Sequence, residues 1–316
     1  MSHLPLLLQP AYKSAVWGGT RLRAYGKHSD GANIAETWEL SCHPNGPSVV
    51  DGGPFSGKTL PDAIAAMGPS CLGTASGKFP VLIKLLDAAS DLSIQVHPTD
   101  AYAREHEHEL GKTEMWVILH ADPGAKLLCG FVGNPSREEI RERIAACTLP
   151  EVLGELYVQP GDVVVIPAGT VHAIGGGITL AEIQQSSDAT YRLYDYGRLG
   201  LDGKPRALHV DKALDVLQIA PPPAVLNPQP DLSGTALLCD CPFFRVERWT
   251  KGRVFRPEGG FAGILTIDGT MEVHADGYEQ TLPAGRMLFV PADAPELTLS
   301  GSFTALTTFA KKAVDL

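Results

Sequence analysis

At 316 residues the chain can bury a large core, and the usual domain size of about 100 to 200 residues leads us to expect two domains. Hydrophobic residues make up 44% and charged residues 20%, which excludes a mostly disordered chain. A net charge of −10 argues against a general nucleic-acid binder, because phosphate contacts need a basic face; a small anionic ligand would need local Lys and Arg.

The opening "MSHLPLLLQP" has an apolar patch, but it lacks a basic leader and a small-residue cleavage site and is broken by Pro5 and Pro10. No later apolar run approaches the roughly 18 residues of a membrane helix. These features lead us to expect a cytoplasmic chain with no membrane association. Six cysteines are scattered, and the close pair Cys239 and Cys241 has neither zinc-finger nor thioredoxin spacing, so reduced thiols are expected.

Short runs rich in Val, Ile, Leu and Thr, punctuated by Gly and Pro, predict an all-β framework of sandwich or barrel type. In chain order these are "TWEL" (37–40), "VLIKLL" (81–86), "LSIQV" (92–96), "EMWVIL" (114–119), "VVVI" (163–166) and "ITLAEIQQ" (178–185). Helical patterns at 98–110, 136–147 and 209–217 read as insertions, the second opening with a capping box of Ser136 and Glu139. Five prolines (Pro221, Pro222, Pro223, Pro228 and Pro230) mark a linker. Beyond it, "FFRVERW", "FAGILTI", "MEVHA", "YEQTL", "RMLFV", "ELTL" and "FTALTTFA" predict a compact all-β unit. The expected division is therefore a catalytic domain at 1–220, a linker at 221–235 and a second domain at 236–316.

One pattern occurs twice. "GDVVVIPAGTVHAI" begins at Gly161 and "GRMLFVPADAPELTL" at Gly285; Pro167 matches Pro291, but Gly169 becomes Asp293 and His172 becomes Glu296. The first copy, Gly-x5-Pro-x-Gly-x2-His, resembles the second motif of the cupin family of small β-barrels. In such a motif the Pro-x-Gly corner aims the His into the barrel. Gln95 and His97 lie two apart on one strand and so share a face, as the paired ligands of a cupin's first motif would. Glu114 opens the next strand.

Gln95, His97, Glu114 and His172 together offer two imidazoles, a carboxylate and an amide oxygen. That set suits Zn²⁺ as a Lewis acid, with Fe²⁺, Mn²⁺ or Co²⁺ compatible on ligand chemistry. The second copy lacks a matching upstream pair, so one metal per chain and a metal-free second barrel are expected.

"LSIQVHP", "GKTEMW", "IPAGTVHAI" and "AEIQQSSDATYR", in that order, together with "VWGGTRL" and "AETWEL", resemble the short bacterial form of the type I mannose-6-phosphate isomerases. The resemblance spans roughly residues 10–215. It implies two cupin barrels with helical insertions in the N-terminal half, and a zinc site of Gln95, His97, Glu114 and His172. Isomerisation of mannose 6-phosphate and fructose 6-phosphate through a cis-enediol is the implied reaction.

By the same matching, Lys112, Glu182, Asp188 and Arg192 fall on active-site positions. Arg198 stands where longer members carry a basic residue, and it joins Arg192 as a candidate phosphate ligand. "KTE" replaces a more frequent "KPE", and Ile174 stands where Tyr is common, so sugar contacts can differ. The implied partner is a small sugar phosphate, with the protein a monomer or homodimer. The alternatives are a non-catalytic cupin that binds a sugar phosphate and a metal-dependent cupin dioxygenase, the latter disfavoured by Gln95 in place of a histidine.

Among other features, His106 and His108 lie two apart on a charged helix and share no face, which predicts solvation rather than a metal site. Lys84, inside an apolar strand, reads equally as pocket lining or as strand-edge exposure. Trp17 and Trp38 read as core.

Overall fold

The structure, a computed structural model, describes residues 3–29, 33–75 and 77–311. Among the described residues the strands form antiparallel sheets of nine, seven and five strands, with four α-helices outside them. No helix there is long and apolar enough to cross a membrane.

The seven-stranded sheet lies in the middle of the molecule, and its sequence shows why. Val81–Ala88 and Ile178–Gln185 are buried at every position, so both faces are covered. Val81, Ile83, Leu85, Met115, Val117 and Ile183 pack in one cluster with Phe261 and with Leu265, Met287 and Phe289 of the nine-stranded sheet. Leu86, Trp116, Ile118 and Leu180 face the other way, against Leu127, Cys129 and Ile174 of the five-stranded sheet. Side chains alternate along a strand, so Lys84 and Glu182 fall on this second face, between the seven- and five-stranded sheets. A register shift between Trp38 and Leu40 re-aims Trp38 to that same face while Leu40 joins the opposite core.

The helices appear at Asp100–Glu107, Arg137–Ala145 and Val210–Val216, within the predicted stretches. The first stops early because His108 adopts a left-handed conformation, φ 57°. Only one arm of the capping box takes its expected form: the Ser136 hydroxyl accepts from the Glu139 N–H at 3.1 Å, while the Glu139 carboxylate turns forward to Arg143. A fourth helix, Leu60–Met67, was not foreseen; Thr59 caps it by accepting from the Asp62 N–H.

Strands cut across the expected division into 1–220, 221–235 and 236–316. Leu6–Gln9 joins the sheet of the C-terminal half, with Leu6 opposite Phe289 and Leu8 opposite Met287. Val225–Leu226, within the proline-rich stretch, pairs with Val163–Val164. Apolar strand edges are covered by whichever chain segment reaches them, and chain order does not say which will.

The repeated pattern closes a turn with the same hydrogen bond in both places: the Thr170 N–H donates to the Pro167 carbonyl at 3.1 Å, and the Ala294 N–H to the Pro291 carbonyl at 3.0 Å. The two turns differ at the third position. Gly169 has φ +89°, as a type II turn requires, whereas Asp293 stays outside the left-handed region and bonds His3 at 2.9 Å. His172 then opens a buried strand, while Glu296 is exposed ahead of Leu297–Ala310.

Candidate active site

Two rows of side chains face each other between the sheets. Across the five-stranded sheet, Arg192 is paired with Gln95, and Gln95 with His172. Residues directly opposite one another on antiparallel strands point to the same face. Across the seven-stranded sheet the row runs Trp38, Lys84, Glu182, Trp116. Glu114, two residues from Trp116, projects beside it.

These rows bring Gln95, His97, Glu114 and His172 together. The His97 Nε2 is 3.3 Å from Glu114 Oε1, the His172 Nε2 is 3.6 Å from Glu114 Oε2, and Gln95 Nε2 is 3.4 Å from His172 Nε2. The three His and Glu ligand atoms lie within 4.8 Å of one another. His97 Nδ1 is 2.9 Å from the Ala189 carbonyl and His172 Nδ1 is 2.9 Å from the Thr170 carbonyl. A carbonyl can only accept, so each Nδ1 carries the proton and each Nε2 lone pair points inward.

Burial, then the Lys112 ammonium, pushes His97 down to about 4, and burial also lowers His172. Both rings are therefore neutral at pH 7. Burial would raise Glu114, but the Lys112 ammonium, 2.5 Å from its Oε1, holds it well below the usual carboxylate range. Glu114 is buried, its Oε1 met by the Lys112 ammonium and its Oε2 without a hydrogen-bond donor. An ionised, underbonded carboxylate between two neutral imidazoles with fixed lone pairs fits a divalent cation.

Beside this cluster opens a cavity of about 330 Å³ with Gln95 and Lys112 in its wall. Lys84, left open from sequence between pocket lining and edge exposure, lines it and is 5% exposed. Its ammonium lies 3.1 Å from Glu182 and 3.4 Å from Glu36. Burial would lower Lys84, but Glu182 and Glu36 outweigh it and raise it. Trp116 donates to Glu182 at 3.0 Å and Trp38 to Glu36 at 2.8 Å. Trp17 and Trp38 are buried and also form cavity wall, so they serve the site as well as the core.

Comparison with known proteins gives this arrangement its family. A family model described as the phosphomannose isomerase type I catalytic domain matches residues 6–131. A mannose-6-phosphate isomerase of Streptococcus mutans is 44% identical over 248 residues, 78% of this chain and 78% of its own length. A probable mannose-6-phosphate isomerase of Bacillus subtilis is 38% identical over 311 residues, 96% of this chain and 98% of its own. The chain belongs to the type I phosphomannose isomerases. A crystal structure of mannose 6-phosphate isomerase from Bacillus subtilis superposes with TM-score 0.90 at 33% identity, covering 97% of this chain and 99% of that one. The apo form from Salmonella typhimurium shares the fold at TM-score 0.79 and 18% identity, over 98% of this chain and 100% of its own.

Asp188 and Arg192 also line the cavity. Asn45 Nδ2 donates to Asp188 at 2.5 Å, and Arg192 Nε donates to Ser93 Oγ at 3.2 Å. Arg198 is not among the lining residues; its guanidinium turns to Asp195, 2.9 Å away, and to the Asp91 carbonyl. Arg206 lines the cavity instead. No motif marks Arg206. Glu36 was legible within "AETWEL", but its strand carries a second glutamate, Glu39, which packs away from the cavity with Lys27.

Proposed function

We propose that the chain is a zinc-dependent mannose-6-phosphate isomerase, interconverting mannose 6-phosphate and fructose 6-phosphate through a cis-enediol. The observation that carries this reading is the polarity of the cavity. Gln95 of the ligand set and the Glu36–Lys84–Glu182 group line the same cavity as Arg192, which lies in one row with Gln95 and His172, two strand spacings of about 4.8 Å from His172. That span of about 10 Å suits an extended hexose phosphate, with its C1 and C2 near the ligands and its phosphate near Arg192.

Gln95, His97, Glu114 and His172 would hold the metal. Bound there, zinc supplies Lewis-acid stabilisation of the negative charge that develops on the sugar oxygens. Lys112, in the cavity wall beside the ligands, adds a cation to the same oxygens. Asp188, in the cavity wall, would transfer the proton in ring opening. Glu182, whose Oε2 accepts from Trp116, would carry the proton between C2 and C1 or orient the group that does, proton transfer contributing about 10²- to 10⁴-fold. Arg192 orients the phosphate by bidentate contact, and Arg198 supports that end from behind the wall through Asp195.

A coupled isomerase assay with metal analysis, run on the parent chain and His172→Ala, tests this. The variant should lose bound zinc and turnover together. Metal-replete parent protein that binds mannose 6-phosphate without converting it would overturn the reading in favour of a non-catalytic sugar-phosphate binder. Oxygen consumption dependent on Fe²⁺ would overturn it in favour of a dioxygenase.

A further inference from the structure

Arg206 sits in the loop "GLDGKPRALH" (200–209), which folds back on itself: Leu199 bridges to Pro205, and the Gly200 N–H donates to the Lys204 carbonyl at 2.7 Å. Asp195, 5% exposed, lies behind the cavity wall and accepts from Arg206 Nε at 2.7 Å and from Arg198 Nε at 2.9 Å. Two guanidinium groups therefore share one carboxylate, which leaves a positive charge over. Arg192 adds another, its side chain tied to neutral partners, the Ser93 hydroxyl and the Ala207 carbonyl. Burial, and next the like charge of Arg206, lowers Arg192 from its usual value. In a chain of net charge −10, this end of the cavity carries an excess of about two positive charges.

An excess of that size matches a phosphomonoester dianion. Ser93 and Thr190, which also line the cavity, add hydroxyls suited to the same oxygens. We propose that Arg206 is a specificity-determining residue: with Arg192 it clasps the substrate's phosphate, and Asp195 is the positioning residue that aims its guanidinium. The inference rests on the sugar-phosphate reading above and goes beyond it by naming a residue outside every recognised motif.

The test compares Arg206→Gln and Arg206→Lys with the parent enzyme, all zinc-loaded. Asp195 keeps Arg198 as its partner in both variants, so no buried carboxylate is stranded. Arg206→Gln should raise KM for mannose 6-phosphate and the inhibition constant of inorganic phosphate by 10-fold or more, with kcat changed less than 3-fold. Arg206→Lys should recover part of the loss, and Asp195→Asn should raise KM by a smaller factor. Calorimetric titration with mannose 6-phosphate and with mannose should show the phosphate-dependent part of affinity falling most in Arg206→Gln, with affinity for mannose unchanged. Unchanged KM and phosphate inhibition in Arg206→Gln, or a fall in kcat at constant KM, would overturn the inference while leaving isomerase activity intact. A parent protein without turnover whose mannose 6-phosphate affinity still depends on Arg206 would sustain the inference and sink the isomerase reading.

Discussion

Lys84 shows how one residue serves both stability and chemistry. Its ammonium lies between Glu36 and Glu182 in a strand buried on both faces. Removing one partner of a buried ion pair leaves uncompensated charge and costs about 3–5 kcal/mol. Lys84→Met is therefore expected to lose stability of that order at pH 7 in urea denaturation and to lose most of its turnover. The sign of the pH dependence follows from Glu36, whose carboxyl would be raised by burial but is held low by Lys84 and then by the Trp38 indole. Its contribution is present above the unfolded carboxylate value and is lost as pH falls through the depressed folded value. Denaturation midpoints of parent and Lys84→Met should accordingly converge as the pH is taken from 7 towards 3.

At the scale of elements, the Pro-Ala-Gly corner decides where His172 points. Gly169 has φ +89°, and a Cβ there would meet Gln218 Cγ at 2.8 Å and the Val216 carbonyl at 3.0 Å. Gly169→Ala should cost about 1–3 kcal/mol of backbone strain. It should also reduce zinc content, because His172 follows three residues later; thermal melting and metal analysis would read the two effects separately. Ser136→Ala, at the start of Arg137–Ala145, should cost only about 1 kcal/mol as a lost helix cap and leave metal content and kcat unchanged. Equal effects of the two substitutions on metal content would show that the corner does not aim the histidine.

The whole molecule is bound together by the middle sheet. Val81, Ile83, Leu85, Met115, Val117 and Ile183 are covered by residues of the C-terminal half. Burying each such side chain contributes about 1.5–3 kcal/mol, so exposing all six would cost roughly 9–18 kcal/mol, comparable with the roughly 5–15 kcal/mol total stability of an ordinary protein. A fragment of residues 1–220 should therefore lack a cooperative melt and near-ultraviolet circular dichroism. Native-like zinc binding by that fragment would contradict the prediction. Deleting residues 3–10 removes the strand opposite Met287–Val290 and should destabilise the intact chain although those residues lie far along the chain from that sheet.

The strands and the ligand set were legible because both are local signals. Runs rich in Val, Ile, Leu and Thr mark Val81–Ala88 and Ile178–Gln185 as strands, the spacing of Gln95 and His97 puts them on one face, and the Gly-x5-Pro-x-Gly-x2-His order implies a turn into an inward-facing His172. Those patterns arise from backbone geometry within a few residues, and the chain carries them wherever it goes. Tertiary structure decided the rest. A strand buried on both faces does not announce which face meets a cavity, so Lys84 stayed ambiguous until the five-stranded sheet was seen to lie over it. Arg206 and Arg198 carry the same charge eight residues apart, and only the path of the 200–209 loop puts Arg206 in the cavity wall. The pairing of Leu6–Gln9 with the far half depends on which apolar edge remains uncovered once the sheets have assembled. The sequence alone thus determined the main strands of the middle sheet, three of the four helices and the candidate metal ligands; assembly determined which charges face the substrate and how the two halves share one core, because both depend on contacts between segments far apart in the chain.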